Sequence, residues 1–217
     1  MKFQAVIFDL DGTLLDTLGD LAAAVNHALA AHGFPLRTKD EVREFVGNGI
    51  GNLIARSVPS GTDEPTTAAC LADFRTYYAA HMMVHTAPYP GVIPLLDRLR
   101  AAGVAVGVVS NKIDFAVKAL SAQYFGGVMQ VAVGDDPARR KKPAPDSVLE
   151  AMRQLGVSRE ETVYVGDSEV DVETAKNAGV TCCAVKWGFR SEECLRAAGA
   201  QHIAADAAAL LNMLENL

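Results

Sequence analysis

Six short apolar segments recur along the chain, and they constrain the fold more than any other feature. The segments are residues 4–10, 104–109, 129–133, 162–165, 181–185 and 202–204. Continuous apolar runs of this length are typical of parallel strands that are covered on both faces. Helical stretches lie between the later segments, and three of them end at Gly103, Gly156 and Gly179. This alternation predicts an α/β fold built on a parallel sheet.

One connection interrupts the alternation. Roughly 70 residues separate the first segment from the helix before the second, where a few residues would be usual. Apolar residues from Leu18 to Leu29 share one helical face, Thr38 begins a capping box, and a longer helical stretch covers 66–83. A further helix is predicted after Gly51. The predicted boundaries are 1–16 and 88–217 for the α/β core and 17–87 for an inserted helical domain.

Composition limits the classes of partner. The 217 residues are 50% apolar and carry a formal net charge of −6, so general binding to nucleic acid or to an anionic membrane is not expected. No segment has the length of a membrane span, and no leader pattern stands at the N-terminus. We therefore expect a cytoplasmic monomer or homodimer. The four cysteines are too few for a disulfide scaffold and are expected to be reduced.

Polar residues cluster where the apolar segments end. They are Asp9, Asp11 and Thr13 at the end of the first, Ser110, Asn111 and Lys112 after the second, Asp167 and Asp171 after the fourth, and Lys142 before a helix. The carboxyl ends of parallel strands meet at one edge of a sheet, which is where ligands bind in such folds. Carboxylates that meet there repel one another unless a cation intervenes, and oxygen ligands suit Mg²⁺. The sequence therefore predicts a site for a divalent metal ion such as Mg²⁺.

This ordered set of motifs resembles the haloacid dehalogenase superfamily of phosphatases along essentially the whole chain. The resemblance implies a Rossmann-like core with an α-helical cap domain and a two-step phosphoryl transfer. Asp9 would attack phosphorus to form an aspartyl phosphate, and Asp11 would act as general acid and then general base. The spacing suits these roles, because residues i and i+2 of an extended segment point the same way.

The resemblance also implies the roles of the other polar residues. Mg²⁺ would bind the Asp9 carboxylate, the Asp11 carbonyl oxygen and the Asp167 carboxylate. Phosphoryl oxygens would bind Ser110, the Asn111 N–H and Lys142. Thr13 and Asp171 would support these groups without binding the metal directly, Asp171 by orienting Lys142 or a metal-bound water.

Within the superfamily the sequence is most similar to phosphoglycolate phosphatases, in its helical insert, in Lys112 and in the stretch 185–190. We expect a small phosphorylated metabolite as the partner, one with a carboxylate such as 2-phosphoglycolate. Lys112 would contact either that carboxylate or a neighbouring acid. In the insert, Gly47 and Gly49 either cradle a small anion with backbone N–H groups or simply join two helices, and Arg56 has no assigned role.

Other interpretations stay open at this point. The same residues would serve a sugar-phosphate phosphatase or a β-phosphoglucomutase-like phosphotransferase. A receiver-like phosphoaspartate signalling module is the non-enzymatic alternative. Asp167 and Asp171 could simply favour a helix N-terminus, and a calcium loop at Asp9 lacks the further ligands that it would need. His81 and His85 have helical spacing but no accompanying zinc-type motif.

Overall fold

The computed structural model describes residues 2–217 and contains a six-stranded sheet in which all strands run parallel. Together with a separate two-stranded pair, the described residues form eight strands. They are β1 (Ala5–Phe8), β2 (Leu15–Asp16), β3 (Ala87–Pro88), β4 (Ala105–Ile113), β5 (Val131–Asp135), β6 (Thr162–Gly166), β7 (Thr181–Val185) and β8 (His202–Ala204). The order in the sheet is β5-β4-β1-β6-β7-β8, and β2 pairs with β3 separately. The predicted α/β fold with a parallel sheet is confirmed.

The described residues also form ten helices. They are α1 (Leu18–Ala31), α2 (Lys39–Phe45), α3 (Gly49–Ser57), α4 (Glu64–His81), α5 (Val92–Ala101), α6 (Asp114–Phe125), α7 (Asp146–Leu155), α8 (Glu169–Ala178), α9 (Glu192–Ala197) and α10 (Ala207–Asn216).

Two helices begin earlier than the sequence predicts. The pattern of residues 172–178 predicts that helix α8 begins at Val172, but the helix begins at Glu169, because Ser168 and Asp171 form a capping box that satisfies its first backbone N–H groups. Helix α3 begins at Gly49 and not after Gly51.

The chain divides into two compact units. One comprises the residues up to Leu15 together with Pro88–Leu217, and the other is Asp16–Ala87. The first holds the six-stranded sheet with α5 to α10, and the second holds α1 to α4. The short strands β2 and β3 lie where the chain passes from one unit to the other.

Strand β1 shows why the strands of the α/β unit are continuous apolar runs in the sequence. Val6 and Phe8 lie in one buried cluster, which includes residues of α5, α6 and α10. Ile7 lies in the opposite cluster, which includes residues of α7 and α8. Alternate side chains of a strand point to opposite faces, so in a strand covered on both sides successive side chains all face an apolar layer.

The register of the central strands aligns their carboxyl ends. Phe8 of β1 pairs with Val108 of β4 on one side and with Val165 of β6 on the other. The polar residues that follow these positions therefore reach the same edge of the sheet. Strand β4 continues through Ser110 to Ile113, with a register shift against β5 between Val109 and Ile113.

The helical unit has its own core. Helix α1 packs along α4, and buried apolar side chains spaced about one turn apart line both helices. They are Leu21, Val25 and Leu29 in α1 and Cys70, Phe74 and Tyr78 in α4. The predicted capping box of Thr38 with Glu41 is confirmed at the start of α2. Across residues 2–217, no helix combines the length and the apolar character that a membrane span requires.

Candidate active site

Asp9 and Asp11 leave the carboxyl end of β1 and have different partners. Asp9 is buried, and its Oδ1 lies 2.8 Å from Lys142 Nζ. The Asp11 carboxylate accepts two hydrogen bonds from Lys112 Nζ, at 2.8 Å to Oδ1 and 2.9 Å to Oδ2. The sequence left two possible partners for Lys112, a substrate carboxylate and a neighbouring acid. In the structure Lys112 contacts the neighbouring acid, Asp11.

Lys142 contacts three of the buried polar residues of the site. Its Nζ lies 2.8 Å from Asp9 Oδ1, donates to Asp171 Oδ1 at 2.8 Å and donates to Tyr164 Oη at 3.1 Å. Burial opposes the charge on Lys142, but Asp171 and Asp9 outweigh it and raise the pKa of the ammonium above its usual value. Lys142 is therefore charged at any physiological pH.

The backbone of Lys142 is tied to the end of β4 by the Asn111 side chain. Asn111 Oδ1 accepts from the Lys142 N–H at 2.8 Å, and Asn111 Nδ2 donates to the Lys142 carbonyl oxygen at 3.1 Å. Ser110 is buried beside it, and its Oγ accepts a hydrogen bond from the Lys112 N–H at 3.3 Å. Asn111 thus brings the end of β4 against Lys142, which lies 31 positions later in the chain.

Asp171 is held by α8 and by Tyr164. Its Oδ2 accepts from Ser168 Oγ at 2.6 Å and from the Ser168 N–H at 3.1 Å, and its Oδ1 accepts from Tyr164 Oη at 3.0 Å. The same carboxylate therefore caps the helix and orients Lys142. The two interpretations left open for Asp171, a helix cap and a site residue, are compatible.

Asp167 is fixed by the loops on either side of it. Thr13 Oγ1 donates to its Oδ1 at 2.8 Å, and the Phe189 N–H donates to its Oδ2 at 2.8 Å. A Cβ atom added to Gly12, whose φ is +89°, would overlap the Asp167 carboxylate. Glycine at this position therefore permits both the left-handed backbone and the close approach of the two segments.

Asp9, Asp167 and Asp171 form a buried acidic cluster. Each places a carboxylate oxygen within 4.8 Å of an oxygen of the other two. Lys142 contacts two of these three carboxylates, so two negative charges are left over when all three are ionised. Burial, together with the neighbouring acids, raises the pKa of Asp9 to about 7 despite Lys142, and burial and the charges of Asp171 and Asp9 raise the pKa of Asp167 well above its usual value.

These donors fit a hard divalent cation. The excess charge of the acidic cluster equals that of such an ion, and all its donors are oxygen atoms, which Mg²⁺ prefers. Asp9 Oδ1, although close to Lys142, is buried without a hydrogen bond of good geometry from any residue in 2–217. A buried carboxylate oxygen in this state has a lone pair directed at no donor.

Gly47, Gly49 and Arg56 belong to the helical unit. Gly47 has φ +134° and Gly49 has φ +81° just before and at the start of α3, so the backbone itself favours glycine at both positions. Arg56 Nη1 donates to the Phe45 carbonyl oxygen at 3.3 Å. His81 stacks on Tyr77, and within the described part of the chain neither His81 nor His85 belongs to a metal-binding cluster.

Sequence reasoning missed two residues that contact the site. Tyr164 lies in the middle of β6, fully buried, and its hydroxyl touches Lys142 and Asp171. A signal was available, because a tyrosine inside an otherwise aliphatic buried strand needs a polar partner for its hydroxyl. Trp187 donates from Nε1 to the Thr13 carbonyl oxygen at 3.0 Å, and nothing local in the sequence indicates this contact.

Comparison with known proteins gives a consistent picture. The profile of the haloacid dehalogenase-like hydrolases matches residues 6–185. Phosphoglycolate phosphatase 1 of Pseudomonas aeruginosa is 38% identical over 193 residues, which is 86% of this chain and 70% of the relative. N-acetylmuramic acid 6-phosphate phosphatase of the same species is 34% identical over 190 residues, covering 87% of this chain and 84% of the relative.

A solved structure extends the similarity to the whole chain. The crystal structure of a Lactobacillus delbrueckii subsp. bulgaricus protein assigned as a phosphoglycolate phosphatase superposes with a TM-score of 0.94 at 36% identity, covering 99% of both chains. Profile, sequence and structure agree, and they set aside the receiver-like signalling alternative. The chain belongs to the haloacid dehalogenase-like hydrolases.

Proposed function

We propose that this protein is a Mg²⁺-dependent phosphatase that hydrolyses small carboxylated phosphomonoesters through an aspartyl-phosphate intermediate, with phosphoglycolate as the first candidate substrate. The acidic cluster carries the proposal. Three clustered buried carboxylates at the carboxyl edge of the sheet, only two of which contact an ammonium, are costly unless a cation and an anionic substrate bind there.

Asp9 is the proposed nucleophile. Its carboxylate oxygen attacks phosphorus while the bond from phosphorus to the ester oxygen breaks. Lys142, 2.8 Å from Asp9 Oδ1, favours the ionised form of Asp9 and limits the rotation of its side chain. The aspartyl phosphate is then hydrolysed by water, which releases inorganic phosphate and restores the carboxylate.

Asp11 is the proposed general acid and base. It gives a proton to the leaving ester oxygen in the first step and takes a proton from the attacking water in the second. In the structure both of its oxygens accept from Lys112, so one of these hydrogen bonds must be given up when Asp11 carries the proton. Thr13 and Asp171 support the site through Asp167 and Lys142.

The proposed Mg²⁺ ligands are the Asp9 carboxylate, the Asp11 carbonyl oxygen and the Asp167 carboxylate. When bound, Mg²⁺ neutralises the excess negative charge and so lowers the repulsion between Asp9 and a phosphate dianion. Ser110, the Asn111 N–H and Lys142 are proposed to hold the other phosphoryl oxygens. Lys142 Nζ donates hydrogen bonds to Asp171 and Tyr164, so a phosphoryl oxygen would take its third N–H or replace the neutral Tyr164 hydroxyl, which is the weaker of these two acceptors.

The substrate class rests on the relatives and on Lys112. Both named Pseudomonas aeruginosa relatives act on the phosphate ester of an acid, glycolic acid in one case and N-acetylmuramic acid in the other. Lys112 is a buried ammonium next to the Asp9–Asp11 segment, and a substrate carboxylate would be a second acceptor for it. The second relative also makes a carboxylated sugar phosphate the second candidate substrate.

The helical unit is proposed to be the cap domain of this enzyme. Gly47 and Gly49 stay as predicted substrate contacts within it. Replacing each of them separately with alanine tests this role, because a substrate contact would change KM for phosphoglycolate and leave KM for p-nitrophenyl phosphate less affected. Equal changes for the two substrates would assign both glycines to the backbone turn alone.

One experiment tests the proposed function directly. The purified protein is assayed with Mg²⁺ against phosphoglycolate, N-acetylmuramic acid 6-phosphate, glucose 6-phosphate and p-nitrophenyl phosphate, and kcat/KM is compared. We expect one of the two carboxylated substrates to rank first and activity to vanish in EDTA. Activity that survives EDTA, or a first rank for glucose 6-phosphate, would contradict the proposal.

A Lys112→Ala variant tests the recognition of the carboxylate. If the lysine binds it, KM rises about tenfold more for the preferred carboxylated substrate than for p-nitrophenyl phosphate, because a charge-assisted hydrogen bond is lost. Lys118→Ala is the matched control, since Lys118 is exposed in α6 and pairs with Asp114. Equal changes for both substrates would limit Lys112 to its contact with Asp11.

A further inference from the structure

The loop that follows β7 touches the candidate site at three points. Its residues Trp187, Gly188 and Phe189 each face Asp167 or the loop after β1. We propose that this segment, 187–189, is a positioning element that holds the Asp167 carboxylate for metal binding. The proposal rests on the metal site of the proposed function and adds residues that act on it only through Asp167 and Thr13.

The first contact is direct. The Phe189 N–H donates to Asp167 Oδ2 at 2.8 Å, while Thr13 Oγ1 donates to Oδ1 at 2.8 Å from the other side. Each carboxylate oxygen thus has one donor, which fixes the plane of the carboxylate and leaves each oxygen a further lone pair. A ligand oriented in this way loses less conformational entropy when a cation binds.

The second contact closes a ring of hydrogen bonds. Trp187 Nε1 donates to the Thr13 carbonyl oxygen at 3.0 Å, so the segment 187–189 holds the same residue that holds Asp167 Oδ1. The ring runs from Asp167 to Thr13, on to Trp187, and back through Phe189 to Asp167. A displacement of Trp187 would therefore move the Asp167 carboxylate both through Thr13 and through Phe189.

The third contact is steric. A Cβ atom added to Gly188 would overlap the Asp167 side chain and the Gly12 carbonyl oxygen. Since Gly12 also lacks room for a side chain, two glycines confine Asp167 from opposite loops. The carboxylate cannot swing toward either loop, and the tight fit of the two loops is a condition for the hydrogen-bond ring.

Two variants test the proposal. Trp187→Phe removes the indole donor and keeps an aromatic ring, and Gly188→Ala forces Asp167 to shift. Gly156→Ala is the control, because a Cβ there meets nothing within 4 Å although its φ of +71° makes the substitution strained. Binding of Mn²⁺ is measured from the electron paramagnetic resonance signal of the free ion, with Mg²⁺ as competitor, in the absence of substrate.

We expect Trp187→Phe and Gly188→Ala each to weaken Mn²⁺ binding about tenfold or more, as is usual when the support of a metal ligand is lost. Gly156→Ala should lower the melting temperature without changing metal affinity. Wild-type affinity in a folded Trp187→Phe protein would overturn the proposal. If Gly188→Ala does not fold, Trp187→Phe decides alone.

The wild-type protein supplies an independent test. Trp187 is the only tryptophan in the sequence, so its emission reports on this segment without interference. Addition of Mg²⁺ should change the emission, and Asp167→Asn should abolish the change. Unchanged emission at saturating Mg²⁺ would overturn the coupling. Because no test here needs turnover, metal binding that follows these expectations in a protein without phosphatase activity would refute the proposed function and leave this inference standing.

Discussion

Two regions of this protein bury aspartate side chains, and they do so in opposite ways. In the helical unit, Asp20 of α1 accepts hydrogen bonds from the His85 N–H at 2.8 Å, from the Thr86 N–H at 2.9 Å and from Thr86 Oγ1 at 2.8 Å. At the sheet edge, Asp9 is also buried but has an oxygen without a hydrogen bond of good geometry, and two further carboxylates lie beside it.

The difference separates structural from functional burial. Three donors satisfy Asp20, and they tie the segment that leads out of the helical unit to the first turn of α1. The acidic cluster satisfies its charges only in part, and it would be a poor structural element because unpaired buried charge is costly. Burial alone therefore does not distinguish a structural aspartate from a functional one. The number of hydrogen-bond donors that the carboxylate lacks is the informative quantity.

The largest expected effect is on turnover. Asp9→Asn keeps the shape of the side chain and its contact with Lys142 but removes the nucleophile, so kcat should fall by at least about a thousandfold. Asp20→Asn should retain activity within about tenfold when assayed well below its melting temperature. Substantial turnover in Asp9→Asn, measured with Mg²⁺ and the preferred substrate, would place the chemistry elsewhere.

Loss of a metal ligand should come next. Asp167→Ala is expected to lower activity about a hundredfold and to raise the Mg²⁺ concentration needed for half-maximal rate. An Mg²⁺ titration of the rate distinguishes this from a general loss of packing, in which the half-maximal concentration stays at the wild-type value. The latter result would remove Asp167 from the proposed ligand set.

For the structural aspartate we expect an effect on stability. Asp20→Asn places an amide group against backbone donors and should cost about 2–3 kcal/mol of unfolding free energy, or roughly 4–12 °C in melting temperature. Asp40→Asn is the control, since Asp40 is exposed and pairs with Arg43. Thermal unfolding of the two variants should differ clearly; equal melting temperatures would show that the hydrogen bonds of Asp20 add little.

The smallest expected effect is a pH dependence of stability without metal. The pKa of Asp9 is 3.8 in the unfolded chain and is raised to about 7 in the folded protein, mainly by burial, so the folded state binds its proton more tightly. Stability from this group is therefore greatest below pH 3.8 and is lost as the pH rises to about 7. In EDTA, Asp9→Asn should exceed the wild type in melting temperature at pH 8 and lose that advantage toward pH 4. A difference in melting temperature between the two proteins that does not vary with pH would contradict this cause. Addition of Mg²⁺ should make the wild-type melting temperature at pH 8 approach that of Asp9→Asn.

Local patterns in the sequence predict much of the fold. The apolar run of β1 ends at a pair of aspartates, and helices α7 and α8 end at Gly156 and Gly179, each with a left-handed backbone. Such signals involve neighbours in the chain and can therefore be recognised without knowledge of tertiary contacts. The same logic places Asp9, Ser110 and Asp167 at one edge, because parallel strands align their carboxyl ends.

Partners that are distant in sequence were not predictable. Tyr164 meets Lys142 across 22 positions of the chain, and Trp187 meets Thr13 across 174 positions. Neither residue belongs to a local motif that would point to its partner. Lys112 illustrates the same limit, since the sequence left its acceptor open between a substrate and a protein carboxylate.

The sequence by itself determined the element types, the parallel sheet and the identity of the acidic residues at its edge, because these depend on side-chain pattern and chain neighbours. Only the tertiary structure decided which carboxylates share one ammonium, which one is satisfied by backbone donors, and which loop confines Asp167. The physical reason is that charge compensation depends on distances between atoms of separate segments, and those distances are set by strand register and loop packing, which no local pattern encodes.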